Sequence, residues 1–552
     1  MNPQTTLNGY IIQSIKNNWE LPSLTDFNGV SYNYKDIARK ITKLHILFER
    51  CGLKPGDKVA ICGKNASQWA VAFFGVITYG GVAVPILNEF KPDTIHHLIN
   101  HSESKLLFTD QSIWENLDFE SIGNVLGAFN LSDFSLFECR SSDLADARAR
   151  LNEYFGVKFP ERFTSDDFKV YDNEKSDQVV LINYTSGSTG FSKGVMLTYG
   201  NLWSNLRYAI DHLDFLRPED GIVSMLPMAH MYGLLVEVIF PFVKGCHIHF
   251  LTRTPSPHVI MSAFAKVRPK MIVSVPLIIE KIIKTKVFPL LDKPLMKILM
   301  HVPFVDDRLL SKIKQQLDIT FGGQLHEMII GGAALNKDVE EFLRKINFPF
   351  TVGYGMTECA PLISYAPHSI AKKGSCGRVV DRMIAQVRNP DSNGAGVIWV
   401  KGDNVMEGYY KNDEASSSAM DSDGWLCTGD IGTIDSDNFI FLRGRDKNMI
   451  LGPSGQNIYP EEIEQILNNK AYVSESVVIS ENGKIIALIY PDYDLTTRSN
   501  MDLASISSVM KENIDQLNHE IPAYSRVSTF KIMSEEFEKT PKRSIKRYLY
   551  QH

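Results

Sequence analysis

The sequence predicts an α/β protein. It would have a large N-terminal domain of parallel-type β-sheets covered by helices, carrying a small β-barrel-like subdomain, and then a small α+β C-terminal domain. Three observations carry this expectation. Helical and strand patterns alternate through the first half, as they do when helices cover a parallel sheet. From about residue 374 short β runs separated by turn residues take over. Beyond Arg445 a compact mixture of helices and strands closes the chain. The expected boundaries are 1–443 for the large domain, about 374–443 for its β-rich part, and 444–552 for the C-terminal domain.

Each element rests on local residue choice. Ile37, Ile41, Leu44 and Phe48 recur at helical spacing behind Asn33, a residue suited to an N-cap. Residues 56–62 (GDKVAIC) read as a turn and a buried strand. Trp69 to Leu87 runs 19 residues without a charge, close to membrane-span length. Gly80-Gly81 and Pro85 nevertheless divide it into a buried helix, a turn and a buried strand. The polar stretch 160–178 reads as a surface connection to a strand at Val179–Tyr184. Further on, Asn393-Gly394 separates β runs at Ile384–Val387 and Val397–Val400. The last domain should hold a helix at Pro460–Asn468, strands at Val477–Ser480 and Ile485–Tyr490 around Asn482-Gly483, a helix near 502–519 and a strand at 527–533.

Composition narrows the function. A 552-residue chain that is 44% hydrophobic and 22% charged can build a large core, which excludes disordered, collagen-like and disulfide-scaffold classes. A net charge of −6 offers no cationic excess for a nucleic-acid backbone, so no nucleic-acid partner is expected. Seven scattered cysteines without a CxxC pair fit a reducing compartment. The N-terminus has no basic start followed by an apolar run, so a cytoplasmic protein is expected. His96, His97 and His101 form an HHxxxH group without a cysteine companion nearby, and no zinc site is expected there.

The sharpest local signal is Thr185-Ser186-Gly187-Ser188-Thr189-Gly190-Phe191-Ser192-Lys193-Gly194, placed directly after a β run. Its glycines let the backbone bend tightly and bring N–H groups to a ligand, while its hydroxyls and one lysine suit phosphate oxygens. It matches neither the Walker-type loop nor the GxGxxG fingerprint. The segment resembles the phosphate loop of the adenylate-forming enzymes, a superfamily of acyl-CoA synthetases, luciferases and peptide-synthetase adenylation domains. Five further motifs follow in the family's order. LPMAHMYG (226–233) resembles its gate segment, IIGGAAL (329–335) its adenine-binding run and GYGMTE (353–358) its YGxTE motif. GWLCTGDIG (424–432) resembles its TGD motif and GRDKNMI (444–450) its hinge. The likeness spans essentially the whole chain and is closest to bacterial long-chain fatty-acid–CoA ligases.

The resemblance implies a mobile C-terminal domain, with ATP, Mg²⁺ and CoA as cofactors. The implied reaction is activation of a fatty acid to acyl-AMP with release of pyrophosphate, then transfer to CoA. Thr185, Ser186, Thr189 and Lys193 would hold the β- and γ-phosphates, with Gly187, Ser188 and Gly190 in the same nucleotide-binding loop, Thr357 the α-phosphate, and Glu358 the Mg²⁺ ion. Asp430 would accept the ribose hydroxyls with help from Arg445. Tyr354 and Gly355 would meet one side of adenine, and Gly331, Gly332 and Ala333 the other. His230 would flank the acyl carboxylate and gate the pocket, and Lys447 would sit at the pivot between half-reactions. Gly455 and Asn457 would reach CoA.

One departure bears on the chemistry. The family's closing run carries a lysine that contacts the acyl carboxylate and phosphate, and alignment of the C-terminal segment Lys539–Arg547 puts Ser544 there. Three readings follow: Lys542 or Lys546 supplies the charge, adenylation is slow, or the chain is a nucleotide-binding relative without this step. In an extended tail residues two apart point the same way, which favours the first. The apolar segments 233–251 and 272–305 suit a fatty-acid pocket or core. Leu277–Val305, dotted with lysines, reads as an amphipathic helix for peripheral contact with an anionic membrane. The alternative acceptor to CoA is an acyl carrier protein.

Overall fold

The computed structural model describes residues 6–185, 192–252, 256–291, 293–299, 302, 305–451, 456–481, 483–540 and 545–551. Its largest sheet has eight strands, in the order Gly408–Tyr409, Lys193–Thr198, Val179–Thr185, Val82–Ile86, Lys58–Cys62, Leu106–Thr109, Gly127–Asn130 and Leu136–Cys139. The middle strands pair in parallel, as the alternation of elements predicts, whereas both edges are antiparallel. The exception at one edge has a local cause. Val179–Thr185 and Lys193–Thr198 are joined by a short loop, which permits only an antiparallel return.

The helices that cover this sheet form where their residues favour them. Tyr34–Arg50 starts at Asn33 with a capping box completed by Asp36, and it buries Ile37, Ile41, Leu44 and Phe48. Ser67–Tyr79 is buried along nearly its whole length and stops at Gly80, whose φ of +88° only a glycine adopts without strain. With 13 residues it is too short to span a bilayer, and among the described residues no helix is long and apolar enough to do so. A four-stranded sheet holds Gly221–Ser224, His247–Phe250, Pro22–Asp26 and Ser31–Asn33. A three-stranded parallel sheet holds Met271–Ser274, Glu327–Ile330 and Phe350–Val352.

Two expectations need correction. The β-rich part is an open four-stranded antiparallel sheet, Met383–Arg388, Gly396–Gly402, Leu426–Ile434 and Ile440–Arg445, and not a closed barrel. Its first and last strands each pair on one side only; a bridge between Arg378 and Phe439 joins the unit to the neighbouring small sheet. The segment 277–305 is likewise not one amphipathic helix. It is divided into a helical run, Pro276–Ile282 continuing through a π-helical turn at Ile283–Val287 into Phe288–Leu291, and a separate helix Pro294–Leu299, with Pro276 and Pro294 each at a first helical position. One side of it joins the core through Ile279, Ile283 and Val287.

The C-terminal residues pack as an α+β unit around their own core. Pro460–Leu467 and Leu503–Glu520 lie against the sheet Val473–Glu481, Lys484–Pro491 and Thr529–Ile532, burying Ile463, Leu467, Val478, Ile489, Met510 and Leu517. Arg547 fastens the tail to this unit through two 2.7 Å bonds to the buried Glu464 carboxylate.

Candidate active site

Several separate elements of the fold converge on one region. The hairpin Val179–Thr185/Lys193–Thr198 sets Thr185 opposite Lys193 in register. Of the phosphate-loop candidates, Ser186, Gly187, Ser188, Thr189 and Gly190 lie outside the described residues. Beside this hairpin runs the two-residue strand Gly408–Tyr409, with Tyr409 facing Val195 in the ladder and the Tyr410 amide donating to the Gly194 carbonyl at 2.7 Å. The buried Tyr409 ring lies 4.8 Å from the Lys193 ammonium, and its hydroxyl donates to Glu358 Oε1 at 2.9 Å.

Glu358 sits in a one-turn 3₁₀ helix, Thr357–Cys359, that is buried throughout. Side-chain amides hold the turn: Asn205 and Asn404 both donate to the Cys359 carbonyl, at 2.9 and 3.2 Å. Gly355 is needed just before it, since a Cβ there would lie 2.1 Å from the Pro361 carbonyl oxygen. The Glu358 carboxylate is 9% exposed, and among the described residues no cation is ion-paired with it. An acid with one hydroxyl partner and no ion-paired cation suits a hard divalent cation.

At the opposite end Asp430 and Arg445 face each other on adjacent antiparallel strands. Arg445 Nε lies 2.8 Å from Asp430 Oδ1, and the Tyr354 hydroxyl donates to Oδ2 at 2.5 Å. Burial raises the Asp430 pKa, and Arg445 and Tyr354 oppose that rise. A carboxylate has about four lone-pair sites, so Asp430 keeps two for a diol. Asp430 also feels the charge of Glu358, which places the two acids within electrostatic reach of one another.

Lys447 stands two residues after Arg445, in the 3₁₀ turn Asp446–Asn448. Burial and then Arg445 lower its pKa, Lys193 adds to that, and Asp430 opposes. Asn448 donates to Glu461 at 2.6 Å and so fixes the turn. Asn457 pairs with Leu451 in a short ladder, whereas Gly455 lies outside the described residues.

The remaining wall comes from two strand ends. Gly331, Gly332 and Ala333 follow the strand Glu327–Ile330. A Cβ on Gly331 would come within 3.0 Å of the Tyr232 ring, whose hydroxyl donates to the Ile329 carbonyl at 3.0 Å. Half-buried His230 begins the short helix Met231–Gly233, and Asn183 of the phosphate-side strand donates to the neighbouring Ala229 carbonyl at 2.9 Å.

The tail places its two lysine candidates differently. Lys546 donates through Nζ to Glu538 at 3.1 Å and through its amide to the Glu538 carbonyl at 2.8 Å, so its ammonium is already paired. Lys542 and Ser544 lie outside the described residues.

Sequence reading missed two residues. Tyr409 is one of 21 tyrosines, and only the pairing of its strand with the Lys193 strand brings it to Glu358. Glu237 is hidden in the apolar run 233–251. It is fully buried in the π-helical turn Leu234–Ile239, where Oε2 accepts from the Met225 and Leu226 amides, both at 3.0 Å, and from Ser224. A lone acid inside an apolar stretch was the available signal.

Comparison with known proteins identifies the family and the fold. The family model described as "AMP-binding enzyme" matches residues 13–410, and "AMP-binding enzyme C-terminal domain" matches 447–551. The chain is 25% identical over 543 residues to the rat long-chain-fatty-acid–CoA ligase ACSBG2, covering 92% of this chain and 79% of the relative. It is 25% identical over 552 residues to long-chain-fatty-acid–CoA ligase 1 of Saccharomyces cerevisiae, covering 92% and 78%. Among solved structures, ATP-bound MatB from Rhodopseudomonas palustris superposes with a TM-score of 0.76 at 22% identity, covering 99% of this chain and 98% of that one. That likeness concerns the fold. By the extent of the match over 13–410, this chain belongs to the AMP-binding enzyme family.

Proposed function

We propose that the protein is an acid–thiol ligase that activates a long-chain fatty acid with ATP and passes the acyl group to CoA. The observation that supports this best is the convergence of two acids and two lysines: Tyr409 joins Glu358 to Lys193, Tyr354 and Arg445 hold Asp430, and Lys447 feels Lys193, Arg445 and Asp430 together. In the first half-reaction a fatty-acid oxygen attacks the α-phosphorus of ATP. The acyl–phosphate bond forms as the bond to the β-phosphate bridging oxygen breaks, and pyrophosphate leaves. In the second the CoA thiol attacks the acyl carbonyl, and AMP leaves with the bonding pair. Neither half-reaction needs a protein nucleophile; positioning and charge stabilisation suffice.

In this reading Lys193 and Thr185, with Ser186, Gly187, Ser188, Thr189 and Gly190, hold the phosphates; Thr357 holds the α-phosphate. Glu358 holds Mg²⁺, which when bound neutralises phosphate charge. Asp430 and Arg445 orient the ribose. Tyr354, Gly355, Gly331, Gly332 and Ala333 enclose adenine. His230 borders the acyl carboxylate, and Lys447 is the pivot of a moving domain that begins at residue 444. Gly455 and Asn457 serve CoA. Of the two tail lysines we favour Lys542 as the replacement for the family's closing lysine, since Lys546 would first have to leave Glu538. The exposed Leu277, Leu290 and Ile298, near Lys281, Lys286 and Lys293, are the contacts through which the protein would touch an anionic bilayer.

The test incubates the protein with ATP, Mg²⁺ and a ladder of straight-chain fatty acids, with and without CoA, and follows pyrophosphate, acyl-AMP and acyl-CoA. Acyl-CoA peaking at a long chain length, and lost in Lys193→Ala, is the expected result. Acyl-AMP without acyl-CoA would replace CoA by an acyl carrier protein. Stabilisation by ATP without turnover of any acid would support the non-catalytic reading that Ser544 motivates.

A further inference from the structure

Tyr409 touches both groups that the proposed reaction needs at its phosphate end, and it does so with two different parts of one side chain. The phenol oxygen donates to Glu358 Oε1 at 2.9 Å, and the ring face lies 4.8 Å from Lys193 Nζ. These groups come from elements far apart in sequence: Lys193 opens a strand of the large sheet, and Glu358 stands on a 3₁₀ turn. Tyr409 lies on the edge strand Gly408–Tyr409, whose ladder to Met196 and Val195 fixes where the ring can sit. A buried phenol needs a hydrogen-bond partner, and here that partner is the acid.

We infer that Tyr409 is a positioning residue that sets the orientation of the Glu358 carboxylate toward a divalent cation and, through its ring, the place of the Lys193 ammonium. A donated hydrogen bond on Oε1 orients the group so that the other oxygen is presented to the metal, as outer partners of metal ligands commonly do. The ring attracts the ammonium by its quadrupole and limits the arc through which the lysine swings. Both effects act through other residues, and Tyr409 itself needs no contact with substrate. This inference rests on the reading of Glu358 as the metal carboxylate.

The test separates the hydroxyl from the ring. Tyr409→Phe keeps the ring and loses the hydroxyl; Tyr409→Leu loses both. Each full-length variant is titrated with Mn²⁺ in the presence of a non-hydrolysable ATP analogue, with bound metal read by electron paramagnetic resonance. The analogue is titrated separately without metal. Tyr409→Phe should weaken Mn²⁺ binding about tenfold, the size expected for one hydrogen bond to a charged group. It should leave metal-free analogue binding unchanged. Tyr409→Leu should in addition weaken metal-free analogue binding by roughly two- to fivefold, the size of one cation–π contact. Wild-type Mn²⁺ affinity in Tyr409→Phe, whatever its melting temperature, would overturn the inference. If Tyr409→Leu fails to fold, the phenylalanine variant alone still decides. Should wild-type protein bind no Mn²⁺ with the analogue, it is the metal reading of Glu358 that falls, and the two failures are thereby distinguished.

Discussion

The two ends of the site each combine an acid, a tyrosine and a basic residue, in different ways. At one end Asp430 has a tyrosine on one oxygen and an arginine on the other. At the other Glu358 has a tyrosine, and its lysine neighbour rests on that tyrosine's ring instead of on the acid. The reason is topological. Asp430 and Arg445 are register partners on adjacent strands, so the sheet itself brings acid and base together. Glu358 and Lys193 stand on separate elements, and Tyr409 is what spans them. An acid neutralised in advance suits a neutral diol, whereas an acid left with its charge suits an incoming cation.

The strongest way to break this contrast is Glu358→Gln. Pyrophosphate release should fall by roughly 100- to 1000-fold, the usual cost of removing one transition-state electrostatic group. The melting temperature should hold, because glutamine keeps an acceptor for the Tyr409 hydroxyl and no ion pair among the described residues is lost. A variant that loses activity only in step with its melting temperature would make Glu358 a structural residue. Asp430→Asn should show the opposite balance: a KM for ATP raised about tenfold, a smaller loss in kcat, and a lower melting temperature, because Arg445 loses its partner. Equal KM values for ATP in wild type and Asp430→Asn would remove Asp430 from the nucleotide site. Tyr354→Phe sharpens the comparison further. It deletes a hydroxyl from the already paired acid, so Mn²⁺ binding should stay within about twofold of wild type. A tenfold loss there would mean that the two tyrosines are not specialised.

Much of this organisation is legible in the sequence, because it rests on local signals. Asn33 with Asp36 caps a helix, Gly80 ends one, and Asn393-Gly394 turns a hairpin; each acts within four residues of itself. The motif residues were equally visible, since Gly355, Thr357 and Glu358 sit within one short segment. What the sequence could not supply depends on partners far along the chain. Tyr409 meets residues 51 and 216 positions away, the separations between its number and those of Glu358 and Lys193. The closure of the β-rich unit depended on whether its first and last strands meet, and run lengths say nothing of that. In 277–305 the helical period was real, but a new helix starts at Pro294, and Ile279, Ile283 and Val287 serve the core.

A third acid extends the comparison to its limit. Among the described residues neither a lysine nor an arginine is ion-paired with Glu237, which is held by two backbone amides and one hydroxyl. Burial pushes its carboxyl well above the ordinary 4.5, so it keeps its proton to higher pH in the fold than in the unfolded chain. Its contribution to stability is therefore complete below the unfolded value and is lost as pH rises through the folded one. Across that window the loss is about 1.4 kcal/mol per pH unit for one proton. Glu237→Gln keeps an acceptor for the Met225 and Leu226 amides but cannot ionise, so it lacks this term. Thermal melts at pH 5 and pH 8 should show the glutamine variant gaining on wild type at the higher pH. Glu237→Leu, which leaves both amides unpaired, should be less stable than the glutamine variant at every pH by about 1–3 kcal/mol. Wild-type and glutamine curves that stay parallel from pH 5 to pH 8 would show that this carboxyl ionises alike in both states. Glu237 would then be a charged residue of the site region instead of a neutral strut behind it.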